Sequence, residues 1–364
     1  MSLKAVVMAG GKGTRLRPIT YSIPKPLVPI AGKPCIGYIL DSYYAAGIND
    51  VIITTGYKFE SLINGVLKFK QDDQNILFSV EREPAGTAGS VGLISKFIDD
   101  TFVVGSGDTL SDLDVSDVVK FHRKMNSKIT MALTTVEDPS QFGIVELKDN
   151  KVVRFLEKPD PKQTFSKLIN AGLYVIEPEI LKYIPGGLPY DFARDLFPKL
   201  LDMGIDIYGY HAKGIWLDTG RPNDMIKANQ LMTAKYGMEV SGNGMKGTVI
   251  IKTPHSKFSG AYIEGPTFIG ENVRIGKNSK IIRSAIYDNV EIGNDVQVTD
   301  SILMDSDRVM DGSKVIKSVI MKQTEIGSEC EIEESVLAPK LQLQSKSRVY
   351  NVSLSSEILP EDGI

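Results

Sequence analysis

The sequence predicts an α/β protein in two parts: a mixed open sheet covered by helices, then a parallel β-helix. Two observations carry this expectation. From residue 3 to about 232, short β-branched runs alternate with stretches of helical apolar spacing, the pattern of mainly parallel strands with helices on both faces. From Ile263 to Leu337 helical spacing is absent, and apolar residues return every five or six positions, as the sides of a parallel coil require. A third observation bounds both: 364 residues exceed one ordinary domain, so two are expected. The expected division is 1–235 for the sheet domain, 236–247 for a linker, 248–340 for the β-helix and 341–364 for a tail.

Composition excludes several function classes. Apolar residues at 42% and charged residues at 24% fit an ordinary globular chain. A net charge of −3 gives no electrostatic case for nucleic acid or a membrane surface. Cys35 and Cys330 are too few for a disulfide framework or a metal cage. No apolar run approaches the ~20 residues of a membrane span, and no signal pattern is read, so a cytoplasmic location is expected.

Taken in order, the chain opens with an apolar strand, Leu3 to Ala9, that breaks at Gly10-Gly11. Lys12, Arg15, Arg17 and Lys25 then cluster around Gly10, Gly11 and Gly13. Without a Cβ, such a turn presses backbone N–H groups against a ligand, and the nearby cations favour an anion, so a polyphosphate is the expected guest. A Walker loop is excluded because no lysine followed by Ser or Thr stands at the required spacing. A dinucleotide fingerprint is excluded because Leu16 stands where the third glycine belongs. Helices are expected over 36–46, 59–69, 87–98 and 115–125, and strands over 51–55, 76–80 and 102–106. The glycine turn follows the first strand and Gly107-Asp108 follows the fourth, which puts both at the ligand edge of the sheet. Asp108 suits Mg²⁺, which takes one or two carboxylates and completes its shell with phosphate and water. Alone, an Asp at a strand end serves as often as a cap. Asp112 and Asp114 are expected to flank or cap the helix that follows. Strands 145–147 and 152–157 flank Asp149-Asn150, a hairpin signal.

The stretch GGxGTRLRPxTxxxPKPLxPIAGKP, residues 10 to 34, resembles the signature of the sugar-nucleotide pyrophosphorylases, the sugar-1-phosphate nucleotidylyltransferases. The resemblance implies a Rossmann-like mixed-sheet nucleotidyltransferase domain and the reaction NTP + sugar 1-phosphate → NDP-sugar + pyrophosphate. It implies roles residue by residue. Ala9, Gly10, Gly11, Gly13 and Thr14 hold the nucleotide, with Arg15 on its outer phosphates and Lys25 on charge at the transferred group. Asp108 and Asp218 are the magnesium pair, although Asp218 after Trp216-Leu217 could by itself be structural. Gly143, Glu157 and Asn170 read sugar hydroxyls and Lys158 the sugar phosphate. Without those flanking matches, Glu157-Lys158 would read as a solvated pair. Lys12 and Arg17 are left at the rim. His122, His211 and His255 have no motif around them and are read as structural or surface residues.

Glu81 to Gly89, EREPAGTAG, matches the base-reading loop of the family and gives Glu81, Glu83 and Gly86 as nucleotide contacts. Guanine offers two adjacent N–H donors, which suit a carboxylate. Members that use UTP or dTTP usually carry Gln at the position of Glu81. The loop, with EDPSQFGIVEL and INAGLYV, is most like mannose-1-phosphate guanylyltransferases, so GTP is favoured. The alternatives are a glucose-1-phosphate thymidylyl- or uridylyltransferase, or a non-catalytic regulatory paralogue that binds NDP-sugar.

In the second part, Ser284, Ser301, Ser318 and Ser335 recur 17 residues apart. Inside each unit the apolar positions advance by six, six and five, as in Ile286, Ile292, Val298 and Leu303. This predicts a three-sided coil with one side shortened, each turn stable only on its neighbours. The left hand of such coils comes from the resemblance. An acyltransferase would need a histidine base, and only His255 lies in this half. The β-helix is therefore read as an assembly or regulatory element that shares little core with the first part, and a homo-oligomer formed through it is expected.

Overall fold

The structure, a computed structural model, describes residues 3–253, 255–258 and 260–354. Its chain forms two compact units. One holds the residues up to Lys12 together with Pro34–Asp218, the other Gly13–Lys33 together with the chain from Thr219 onward.

In the first unit the strands are β1 (Lys4–Met8), β2 (Asp50–Thr55), β3 (Asn75–Val80), β4 (Phe102–Ser106), β5 (Thr109–Ser111), β6 (Ile129–Thr135), β7 (Gly143–Lys148), β8 (Lys151–Glu157), β9 (Leu168–Ile176), β10 (Ile207–His211) and β11 (Trp216–Asp218). The helices are α1 (Cys35–Ala45), α2 (Phe59–Leu67), α3 (Thr87–Leu93), α4 (Val115–Met125) and α5 (Phe197–Asp202). Nine strands make one sheet in the order β3-β2-β1-β4-β9-β6-β10-β8-β7. The first four in that order run parallel, and β9 is antiparallel to both of its main neighbours, β4 and β6. Ala5, Val6 and Val7 are all fully buried, because helices cover both faces of a parallel region and leave no polar side for alternation. β3, β2, β1 and β4 are parallel neighbours in that order, so the turns after them open on one edge.

Local chemistry sets the boundaries. Asp114 caps α4 by accepting the Asp117 amide at 3.1 Å. Asp149 and Asn150 both take positive φ, 51° and 65°, and close the β7–β8 hairpin as expected. The helix expected over 87–98 ends at Leu93 and passes into a 3₁₀ turn, Ser95–Phe97. His122 is buried, with its ring nitrogens on Thr130 Oγ1 and Glu177, a structural residue as expected.

The second unit differs from expectation in three places. Residues 236–247 were expected to be a linker. Instead α6 (Pro222–Tyr236) runs into an antiparallel hairpin of β12 (Met238–Gly242) and β13 (Met245–Ile251). Asn243 and Gly244 turn it at φ 51° and 78°, the Asn-Gly pair that suits a two-residue turn. Next, residues 341–364 were expected to be a tail outside the repeat. Yet Gln342–Leu343, Arg348–Tyr350 and Ser353–Leu354 continue the faces of the coil, because Leu343, Val349 and Leu354 keep the inward positions. Residues 355–364 of that expected tail lie outside the described residues.

The third difference concerns the core. The signature segment folds as three short 3₁₀ turns, Thr14–Leu16, Ile19–Tyr21 and Lys25–Leu27. Leu16, Ile19 and Val28, all fully buried, share one cluster with Met225 and Ile226 of α6 and with Phe268, Ala285, Ile302, Val319 and Val336 of the coil. The repeat therefore shares a core with residues 13–33, against the expectation that it shares little with the first part. The reason lies on the outer side of one face. Ala285, Ile302, Val319 and Val336 each precede an inward residue, and being apolar they need cover.

The coil itself follows its period. All three faces are parallel, and Ile281, Val298, Val315 and Ile332 stack in one inward column. The recurring serines finish the short corner. Each Oγ accepts the amide of the serine one turn on, at 3.1 Å for Ser284–Ser301, Ser301–Ser318 and Ser318–Ser335. The same hydroxyls donate to a carbonyl two residues back at 2.7 Å. Buried polar groups at this corner are thus paired without a strand.

Candidate active site

The ends of β1, β3 and β4 enclose a cavity of about 250 Å³ in the first unit. Ala9, Gly10, Gly11, Glu81, Gly86 and Asp108 line it, six of the residues that the sequence singled out. Glu81 is half-buried, and its Oε2 accepts the Ala85 amide at 3.1 Å. A Cβ on Gly10 would stand 3.5 Å from Glu81 Oε1, so the carboxylate lies against the glycine turn. Burial pushes the Glu81 pKa up, and the Ala85 amide works against that rise. Glu83 is exposed and does not line the cavity.

The two carboxylates expected to hold a metal come together through a short ladder. β5 pairs antiparallel with β11, with Asp218 opposite Thr109, the residue after Asp108. Ser106 Oγ donates to Asp108 Oδ1 at 2.6 Å and orients that carboxylate. Trp216 Nε1 donates to the Ala171 carbonyl at 2.8 Å and its ring meets Phe142 edge-on, which anchors β11. Asp112 accepts the Ile215 amide at 2.6 Å and so fastens the same ladder. Among the described residues no group of three His, Cys, Asp or Glu could hold a metal ion. Asp108 and Asp218 would supply the two carboxylates that a hard divalent ion takes before phosphate and water complete its shell.

Of the expected sugar residues, Gly143 and Glu157 meet on the β7–β8 ladder and Asn170 lies on β9. Gly143 stands directly opposite Glu157, and Ile169 of β9 opposite Ile144. A Cβ on Gly143 would come within 2.8 Å of Glu157 Oε2 and 2.6 Å of Phe155, so a side chain here would displace both. Asn170 is fixed at both ends, donating to Tyr174 Oη and accepting the Gly172 amide, each at 2.9 Å. Burial raises the Glu157 pKa, opposed by Lys158 and Arg194 and assisted by Asp191.

Asp191 is a residue that sequence reasoning missed. It lines the same cavity as Gly10, Glu81 and Asp108, accepts the Thr87 hydroxyl at 2.9 Å, and is close enough to Glu157 to disturb its ionisation. It precedes a π-helical turn, Phe192–Leu196, a rare form frequent at functional sites. Asp-Phe-Ala-Arg-Asp carries no spacing that announces such a turn.

Gly13, Thr14, Arg15 and Lys25 belong to the second unit. Gly13 has φ 63°, and a Cβ there would meet Thr20 Cγ2 at 2.9 Å and Lys25 Cβ at 3.1 Å. Thr20 Oγ1 donates to the Gly13 carbonyl at 3.0 Å. Lys25 is thereby held against the turn and is only 5% exposed.

The family model described as nucleotidyl transferase matches residues 4–235, and one described as EIF2B subunit epsilon LbH domain matches residues 250–356. A mannose-1-phosphate guanylyltransferase of Mycobacterium tuberculosis is 35% identical over 79% of this chain and 80% of that protein. A mannose-1-phosphate guanyltransferase of Yarrowia lipolytica is 31% identical over 85% of this chain and 96% of that one. A UTP--glucose-1-phosphate uridylyltransferase of Synechocystis is 35% identical over 77% of each chain. The solved structure of HddC from Yersinia pseudotuberculosis complexed with GMP-PN aligns with a TM-score of 0.54 and 27% identity, covering 63% of this chain and 99% of that one. Among the described residues no helix is long and apolar enough to cross a membrane. The match to the nucleotidyl transferase model spans the whole of the sheet, and the protein is a member of the nucleotidyl transferase family that carries a left-handed β-helix after its catalytic domain.

Proposed function

We propose that the protein makes GDP-mannose and pyrophosphate from GTP and mannose 1-phosphate, with Mg²⁺ held by Asp108 and Asp218. The observation that carries this reading is the shared cavity, in which the Gly10-Gly11 turn, the Glu81 carboxylate and Asp108 face one space. The relatives named as guanylyltransferases support the choice of GTP.

An oxygen of the sugar phosphate bonds to the α-phosphorus, and the bond to pyrophosphate breaks with its electron pair on the leaving group. The nucleophile is already ionised near pH 7, so no side chain need take a proton. What the chain supplies is position and charge. Glu81 accepts the guanine N–H donors, and Gly10 and Gly11 let the backbone approach the nucleotide. Glu157 and Asn170 take the sugar hydroxyls while Lys158 pairs with its phosphate. Arg15, Lys25, Gly13 and Thr14 keep the phosphate roles that the signature implies. A bound divalent ion adds a Lewis acid that offsets charge on the phosphates.

Release of pyrophosphate from each of GTP, UTP and dTTP with mannose and glucose 1-phosphates tests the reading. A preference for UTP or dTTP with glucose 1-phosphate would replace it by the second reading, which the Synechocystis relative favours. A cytoplasmic location and self-association through the β-helix belong to the same proposal, and sedimentation of the full chain tests the latter.

A further inference from the structure

Ala85 stands between two partners. Its amide donates to Glu81 Oε2 at 3.1 Å, and its carbonyl accepts the Tyr190 amide at 2.8 Å. Two residues on, Thr87 meets Asp191 across 104 residues of chain. Asp191 Oδ1 accepts both the Thr87 hydroxyl, at 2.9 Å, and the Thr87 amide, at 3.3 Å. The same hydroxyl accepts the Phe192 amide at 3.0 Å, and the Gly89 amide donates to the Tyr190 carbonyl at 2.8 Å. A Cβ on Gly86, at φ 75°, would come within 2.7 Å of the Tyr190 carbonyl oxygen, so the two segments lie in direct contact. Asp191 is itself held. Its amide donates to Asp195 Oδ2 at 2.7 Å, and its carbonyl accepts the Leu196 amide at 3.0 Å. Phe192 is buried beside the Tyr174 ring, which ties this anchor to the core of the sheet domain.

We propose that Thr87 and Asp191 are a positioning pair for base selection, which fixes the Ala85 turn and through it the direction of the Glu81 carboxylate. This rests on the reading above of Glu81 as the group that meets the base. A carboxylate on a flexible side chain distinguishes bases only while its oxygens are held in one place. With Oε2 on the Ala85 amide, Oε1 is left beside the glycine turn. The three bonds gathered on Asp191 Oδ1 and Thr87 Oγ1 set the pitch of that turn, and bonds to a carboxylate are among the stronger ones. Neither residue need touch the nucleotide for this role. A misaimed Glu81 penalises guanine, with its two adjacent donors, more than a base with one.

Calorimetric affinities of the full chain for GTP, UTP and dTTP read the preference and need no turnover. Thr87→Val removes the hydroxyl at nearly constant shape. It is expected to lower the ratio of the favoured nucleotide to the next by about tenfold, since a misplacement of about 1 Å can cost about a hundredfold. Asp191→Ala is expected to do the same. Thr87→Ser keeps the hydroxyl and should restore the ratio, which a general loosening of the fold would not. The ratio is taken against whichever nucleotide is favoured, so a preference for UTP or dTTP leaves the test intact. Wild-type ratios in folded Thr87→Val and Asp191→Ala overturn the inference, whatever happens to the melting temperature. An effect confined to the KM for the sugar phosphate also overturns it, by making Asp191 a sugar contact. If Asp191→Ala fails to fold, the two Thr87 variants decide. Glu81→Gln keeps the two readings apart. An unchanged ratio there removes Glu81 from the base and the positioning role with it, whereas a loss there with none in Thr87→Val removes the positioning role alone.

Discussion

The side chain of Asn229, on α6, accepts the backbone amide of Ala31 at 2.8 Å. The same Oδ1 accepts the Tyr287 hydroxyl at 2.8 Å, while Nδ2 donates to the carbonyls of Pro29 and Met225. One buried amide thus joins the signature segment, α6 and the coil. Asn229→Ala removes this acceptor from the Ala31 amide and the Tyr287 hydroxyl, and loss of a partner by the amide alone costs about 1–3 kcal/mol. Urea denaturation should show a lower midpoint, with turnover reduced as well. An unchanged midpoint would show that these bonds contribute nothing.

Removal of residues 246–364 takes away the coil partners of Leu16, Ile19 and Val28 and leaves Met225 and Ile226. Burial of such side chains is worth about 1.5–3 kcal/mol each. The fragment is expected to aggregate or to lose turnover, contrary to what the sequence led us to expect. A monodisperse, active fragment in sedimentation and pyrophosphate assays would restore the earlier expectation.

Val315 is fully buried in the inward column between Val298 and Ile332. Val315→Asp places an unpaired charge there and should cost about 3–5 kcal/mol. Its neighbour Lys314 is exposed, and its ion pair with Glu331 spans 3.4 Å. Lys314→Ala should change stability by less than about 1 kcal/mol. Melting of both variants decides whether the inward register is right.

Asp108→Ala and Asp218→Ala are each expected to lower turnover by about a hundredfold or more, with melting temperature near that of the wild type. Normal turnover in either variant with saturating Mg²⁺ would remove that residue from the metal pair.

Glu81→Gln turns part of an acceptor into a donor that faces the guanine N–H groups. GTP use should fall by about ten- to a hundredfold, while dTTP use holds or rises. Glu83 is exposed, so Glu83→Gln should leave the ratio alone. Burial raises the Glu81 pKa, and an acid with a raised pKa gains its proton sooner as pH falls. The kcat/KM for GTP should therefore decline on acidification before that for dTTP, and Glu81→Gln should abolish the difference. Parallel pH profiles in the wild type would show that Glu81 does not read the base.

The sequence carried the sheet and the coil because each rests on a period. Buried parallel strands read as unbroken β-branched runs, and the inward column keeps its step of six, six and five through Leu337, Leu343 and Val349. That step was legible beyond residue 340, yet polar neighbours such as Lys340, Gln342 and Lys346 masked it. The hairpin at Asn243-Gly244 was equally legible, but its strands carry too few apolar residues to stand out. Of the candidate site, Gly10, Glu81 and Asp108 were found because motif and strand end coincide. Asp191 escaped because a π-helical turn has no sequence signal. The attachment of residues 13–33 to the coil escaped for another reason: which apolar patch covers which is a matter of three-dimensional fit, and no local pattern records it.

The bond between Ala31 and Asn229 closes a span of 198 residues, and this bears on how the chain is made. A ribosome releases the signature segment early and the coil last. Until the coil emerges, Leu16, Ile19 and Val28 have only Met225 and Ile226 of α6 from that buried cluster to pack against. Synthesis of the sheet strands does not complete the protein, and a nascent chain stalled before residue 268 presents an apolar hook near its amino end. Long-range closure of this kind is slow and exposes surface to aggregation. The segment that names the family is thus the last to settle, and a chaperone that holds it during translation should raise the yield of active enzyme.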